Sequence, residues 1–99
     1  MTHEHELACK EEAEKDIQEA YSYYEQNRKG LGEEFILALE ASFNQISRHP
    51  QAFRIRYKKL RADKLQRFPY LVIFRIENYE VVVFKIYHAS RNPKLWKKI

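Results

Sequence analysis

Two short runs decide most of what this chain can become. They are Tyr70–Ile76 (YLVIFRI) and Val81–Tyr87 (VVVFKIY). Both are rich in β-branched and aromatic residues and nearly continuously apolar, so each reads as a strand. Only Glu77-Asn78-Tyr79-Glu80 lies between them. A link that short joins antiparallel neighbours, because parallel strands need a long crossover. The two runs therefore predict a central antiparallel hairpin. If Ile76 opposes Val81, then Leu71, Ile73, Val82, Phe84 and Ile86 share one face of the sheet. Tyr70, Val72, Phe74, Val83, Lys85 and Tyr87 share the other. The first set is apolar throughout and is expected to carry helices. The second mixes aromatic rings with Lys85 and is expected to meet solvent or a ligand.

Glycine and proline divide the rest. There are two glycines, Gly30 and Gly32, and three prolines, Pro50, Pro69 and Pro93. Before Gly30, the spacing Ala13, Ile17, Ala20, Tyr24 follows the helical period and predicts a helix over 11–29. Glu11, Glu12 and Glu14 crowd its first turn, where the helix dipole favours anions, and Arg28 and Lys29 fall in its last. Gly30 suits a left-handed cap. Phe35, Leu39, Phe43 and Ile46 predict a second helix over 33–48, ended by His49-Pro50. The short link makes the two helices an antiparallel hairpin. Phe53, Ile55 and Tyr57 alternate with Arg54, Arg56 and Lys58, as in a strand. Residues 57–67 continue as a basic strand broken at Arg67-Phe68-Pro69. Residues 3–9 add a weak edge strand. The predicted fold is α+β, in the order β-α-α-β-β-β, with the helical hairpin packed on one face of a small, mostly antiparallel sheet. No repeat or linker interrupts it, so residues 1–99 are read as a single domain.

Composition enters through charge. Residues 1–50 carry five Lys/Arg and eleven Asp/Glu, a balance of −6, and residues 51–99 carry thirteen against three, a balance of +10. An acidic front and a basic back point to a polyanion or an acidic protein segment meeting the C-terminal half. No apolar run is long enough to span a membrane, so no membrane partner is expected. Nothing resembles a signal peptide, and the single cysteine, Cys9, fits a reducing cytosol. Cys9 has no histidine near it in sequence and reads as a packing residue. His3 and His5 form an H-x-H pair, but at a terminus expected to fray, so no metal site is assigned. No cofactor is expected.

Three segments carry a resemblance to a known family. They are Glu12–Tyr24 (EAEKDIQEAYSYY), Arg67–Ile76 (RFPYLVIFRI) and Val83–Pro93 (VFKIYHASRNP). In this order and at this chain length they resemble the RelE/ParE superfamily, the toxins of bacterial type II toxin–antitoxin systems. The RFPY and H-x-x-R segments look like the ParE branch. The resemblance implies the fold derived above, a cognate antitoxin as partner, and a toxin that arrests growth by binding a target, DNA gyrase first. The RelE-like alternative is a ribosome-dependent mRNA endoribonuclease. A third reading is a binding module without toxicity. Whether the toxin forms a homodimer stays open.

Each reading selects residues. Metal-free RNA cleavage needs a proton acceptor, cations for the phosphorane and an acid for the leaving oxygen. Arg91, His88 and Tyr87 are the candidates for that chemistry. His88 read structurally is a packing residue at the strand end, Arg91 a surface ion pair, and Tyr87 part of the sheet. Arg67, Lys59, Arg61 and Lys85 are candidate RNA or anion contacts. Leu71 and Val72 stand where a RelE-like cluster would have another basic residue. For partner binding the candidates are Tyr21, Tyr23, Tyr70 and Trp96. Tyr24 belongs to the core stripe, and Arg75 is expected to pair with Glu77 or Glu80.

Overall fold

A computed structural model describes residues 5–89. Its elements run β1 (Glu6–Cys9), α1 (Glu11–Asn27), α2 (Leu31–Arg48), a 3-10 turn (Pro50–Ala52), β2 (Ile55–Tyr57), β3 (Leu60–Lys64), β4 (Tyr70–Glu77) and β5 (Glu80–His88). The five strands form one sheet in the order β1-β5-β4-β3-β2. β1 runs parallel to β5, and the other pairings are antiparallel. The predicted topology holds, with one refinement. The basic stretch after Phe53 is not one strand but a tight hairpin, β2 and β3, turning at Lys58, whose φ is +53°.

The helices end where local chemistry ends them. α1 stops at Asn27, short of the predicted boundary, so Arg28 and Lys29 lie outside its last turn. Gly30 sits at φ +90°, a left-handed conformation that glycine adopts without strain. The Glu25 carboxylate accepts the N–H groups of Gly30 and Gly32, both at 3.0 Å, and so caps the first turn of α2. A Cβ on Gly32 would lie 2.9 Å from the Tyr21 ring, so the two helices meet there at a distance only glycine allows.

The register of the central hairpin is as predicted, with Ile76 opposite Val81 and Asn78 at φ +57° in the turn. The assignment of faces is reversed. Tyr70, Val72, Phe74, Val81 and Val83 pack under the helices with Ala13, Ala20, Phe35, Leu39 and Ile46. Leu71, Ile73 and Phe84 lie on the opposite face with Leu60 and Tyr87. Alternation could not separate the faces, because both sides of β4 and β5 are apolar and both are buried. A register shift between Ile73 and Phe74 adds a further change: Phe74 pairs with Val83, but Ile73 pairs with Lys85, so Phe84 is a bulge. Beyond it the parity of β5 flips, and Ile86 joins the helix-side core.

The core is aromatic at one end. Phe35 is fully buried, with ring centroids 5.6 Å from Tyr24, 5.5 Å from Phe68 and 5.5 Å from Tyr70. Phe53 closes the other end edge-on against Phe74 at 5.5 Å. Edge-to-face contacts of this kind add to the area buried.

Candidate functional site

Three surfaces offer themselves: the outer face of the helical hairpin, the sheet face turned away from it, and the end of β5 where His88 stands. On the hairpin, Tyr23 is 60% exposed and Leu37 66% exposed. Tyr23 is held by an edge contact to Tyr24, at 5.3 Å between centroids. Tyr21 is committed differently. Its hydroxyl donates to Glu33 Oε1 at 3.0 Å and its ring covers Gly32, so it fastens α1 to α2. The hydrogen bond to Glu33 and that carboxylate's charge raise its pKa. Of the aromatic pair selected from sequence, Tyr23 is the one presented outward.

At the end of β5 the chain separates two residues that a nuclease would have to combine. The His88 ring stands edge-on to Tyr70, 5.1 Å between centroids, and Tyr70 belongs to the helix-side core. Tyr87 is buried on the opposite face, with Leu60 and Ile73. Successive residues of a strand point to opposite faces, so the split follows from the backbone. Tyr70 is itself only 9% exposed, which corrects its expected place on an open aromatic face. Burial, then Tyr70 itself, pushes the Tyr24 phenol up to about 12. Arg91 and Trp96 lie outside the described residues.

The selected cations are mostly occupied. Lys85 Nζ lies 3.1 Å from Asp16 Oδ2 and 3.4 Å from Glu12 Oε1. Burial opposes the charge on Lys85, but hydrogen bonding to Asp16 and the Asp16 and Glu12 charges outweigh it, and its pKa is raised. Arg61 donates to the carbonyl of Phe53 at 2.6 Å and holds the approach to β2. Arg67 pairs with Glu34 at 2.7 Å, and Arg28 pairs with the same carboxylate at 2.8 Å. The two guanidiniums, Arg28 first, hold the Glu34 carboxyl below its usual range. Lys59 lines a cavity of about 300 Å³ on the far sheet face with Tyr57, Lys58, Leu60, Arg75 and Phe84. Arg75 pairs with Glu77, as expected, and its guanidinium lies 5.1 Å from the Phe84 ring.

Several residues escaped the sequence. Asp16 sits mid-helix among acids that look alike, yet its Oδ2 also accepts the N–H of Ile86 at 3.1 Å, beyond the end of β1. Ser42 donates to Asp63 Oδ2 at 2.7 Å and ties α2 to β3. His5 of the H-x-H pair is engaged with the Ser47 carbonyl, at 3.2 Å from its ring nitrogen. Cys9 is half-buried against the core, and burial, then Glu14, raises its thiol pKa, which leaves it little nucleophilic character.

A helical hairpin laid on one face of a five-stranded, mostly antiparallel sheet of this order is the fold expected of the RelE/ParE superfamily. The sequence matches the profile of the ParE toxin of the type II toxin–antitoxin system parDE over residues 7–93. The chain belongs to that family. The solved structure of the chromosomal ParDE TA system from P. aeruginosa contains a chain that superposes with a TM-score of 0.78 at 16% identity, over 90% of this chain and 100% of that one. At that identity the likeness speaks for the fold. No curated protein sequence matches the chain significantly. Among the described residues, no helix is long and apolar enough to cross a membrane.

Proposed function

We infer that this protein is the toxin of a parDE-type pair that arrests growth by binding DNA gyrase through the helical hairpin, and that a cognate antitoxin neutralises it. Family membership supports the toxin role. The observation that carries the choice of mechanism is the separation of Tyr87 and His88 onto opposite faces of β5. A ribonuclease needs its acid, its base and its phosphate-binding cations around one phosphate. Here Lys85 is held by Asp16, Arg67 by Glu34, and Arg61 by backbone carbonyls. Binding a target needs no such convergence. It needs exposed anchors on a rigid element, and Tyr23 and Leu37 meet that description.

The test is controlled expression of the chain alone, with DNA synthesis and protein synthesis followed separately by precursor incorporation. DNA synthesis is expected to fall first, and purified protein is expected to inhibit gyrase supercoiling. An early loss of protein synthesis with new mRNA ends would replace this reading by the endoribonuclease. Growth without arrest would leave a binding module.

A further inference from the structure

The gyrase reading uses the helical hairpin and leaves the most basic stretch of the molecule unexplained. β2 and β3 form a tight β-hairpin at the edge of the sheet, with Tyr57 opposite Leu60 and Lys58-Lys59 as the turn. Arg54, Arg56, Lys58 and Lys59 are all exposed, and no acid occurs between Gln51 and Ala62. Among the described residues, none of these four makes an ion pair with a carboxylate. By contrast, Lys85 is held by Asp16, and Arg28 and Arg67 by Glu34. The four sit on a fixed support. Leu60 is buried, and Arg61 donates to the Phe53 carbonyl at 2.6 Å and to the Gln51 carbonyl at 3.3 Å. Like charges held this close repel one another, and a polyanion relieves that repulsion.

We propose that the β2–β3 hairpin binds the phosphate backbone of duplex DNA, without regard to base sequence. Duplex DNA carries one charge for about every 1.7 Å of its axis, so even a short hairpin meets several phosphates at once. Contacts to phosphates position a protein but carry no sequence information. The backbone spreads the four cations out of a single line. Lys58 takes a left-handed φ of +53° in the turn, and a register shift between Ile55 and Tyr57 leaves Arg56 outside the regular ladder. Phosphates along both walls of a groove suit that spread, and the major groove admits a two-stranded ribbon. An acidic peptide presents its charges along one strand and needs the alternation that the shift interrupts. Ile55, 48% exposed, is the one large apolar side chain exposed in this stretch, too little for the apolar centre of a protein interface. A single-stranded nucleic acid is held by open aromatic faces as well as by cations. The ring at hand, Tyr57, is half-buried, with Lys58 Nζ 5.3 Å from its centroid. The inference goes beyond the gyrase reading and does not depend on it, although a target that itself holds DNA brings a duplex within reach.

The probe is a short fluorescein-labelled DNA duplex of mixed sequence, titrated with the full chain by anisotropy over a series of salt concentrations. Saturable binding is expected, with log affinity falling against log salt at a slope of about −3 to −4, as four phosphate contacts require. Arg56→Glu, on the surface and outside the core, is expected to weaken binding by about tenfold or more, with an unchanged circular dichroism spectrum. Arg56→Gln is expected to make the slope shallower by about one. Lys15→Glu makes the same change in net charge on the exposed side of α1. At about 0.15 M salt, where exposed charges more than about 8 Å apart are screened, it is expected to leave the affinity within about twofold. Equal losses in Arg56→Glu and Lys15→Glu would overturn the proposal, because net charge alone would then account for the binding. So would an affinity that Arg56→Glu leaves unchanged, or labelled poly-glutamate or a single-stranded oligonucleotide that binds more tightly than the duplex. Gyrase supercoiling is measured beside the titration. Inhibition without duplex binding removes the β2–β3 site and spares the gyrase reading, and duplex binding without inhibition does the reverse.

Discussion

Single residues set the chemistry available to this fold, and Tyr24 shows how. The sequence places it on the buried stripe of α1, and the structure packs it against Phe35, Phe68 and Tyr70. Burial and the Tyr70 phenol favour the neutral form, so its folded pKa rises to about 12. The sign follows from linkage. The neutral phenol's contribution is complete below the unfolded value of about 10 and is lost as pH rises towards the folded one. Stability is therefore expected to fall between about pH 10 and about pH 12. Tyr24→Phe is expected to give a shallower decline over that window. Equal slopes in urea titrations of both proteins across those pH values would remove Tyr24 as the cause.

Among elements, the strands were legible and their faces were not. The runs in β4 and β5 announced a hairpin because β-branched and aromatic residues favour a pleated, buried surface. Its register followed from the short turn. The faces stayed hidden because Leu71 and Ile73 are as apolar as Val72 and Phe74, and no alternation marks which set meets the helices. The bulge at Phe84 was also silent, since no glycine signals it. Continued by one more alternate position, the expected helix-side set Val82, Phe84, Ile86 reaches His88, which stands against Tyr70 of the helix-side core because the reversed faces and the bulge cancel at the end of β5. The candidate site was less legible than the fold. Exposed Tyr23 could be named from helix spacing, but the partners of Lys85, Arg61 and Arg67 are distant in sequence. Asp16 is the clearest case, because its role depends on β1 ending before Ile86. Its carboxylate serves a backbone N–H and an ammonium together. Asp16→Ala is expected to cost about 2–3 kcal/mol, because both groups lose a charged acceptor in a partly buried setting. Asp16→Asn keeps an acceptor for Ile86 and is expected to recover part of that. Urea unfolding with an unchanged m-value checks both, and equal losses in the two variants would mean that only the charge matters.

Taken whole, the molecule is polar in the electrical sense. The acidic hairpin and the basic sheet edge belong to opposite halves of the sequence, and the sheet's order keeps β2 at the edge farthest from β1 and from β5 with its contact to α1. Two partners can then be served by two surfaces, and lesions on the surfaces should separate. Tyr23→Ala combined with Leu37→Ser removes two exposed side chains and no core contact of the Phe35 cluster. That variant is expected to relieve growth arrest by at least tenfold in surviving colonies, since truncating buried interface anchors commonly costs 2 kcal/mol or more, roughly a thirtyfold loss in affinity. Its affinity for the DNA duplex is expected to stay within about twofold of the parent's, because distant sites contribute independently. Arg56→Glu is expected to do the reverse, arresting growth as the parent does while losing the duplex. If both variants lose both properties, the two surfaces are one, and the protein target and the duplex compete directly for it. If each loses only its own, the surfaces are independent, and the chain can hold its protein target and a duplex at once.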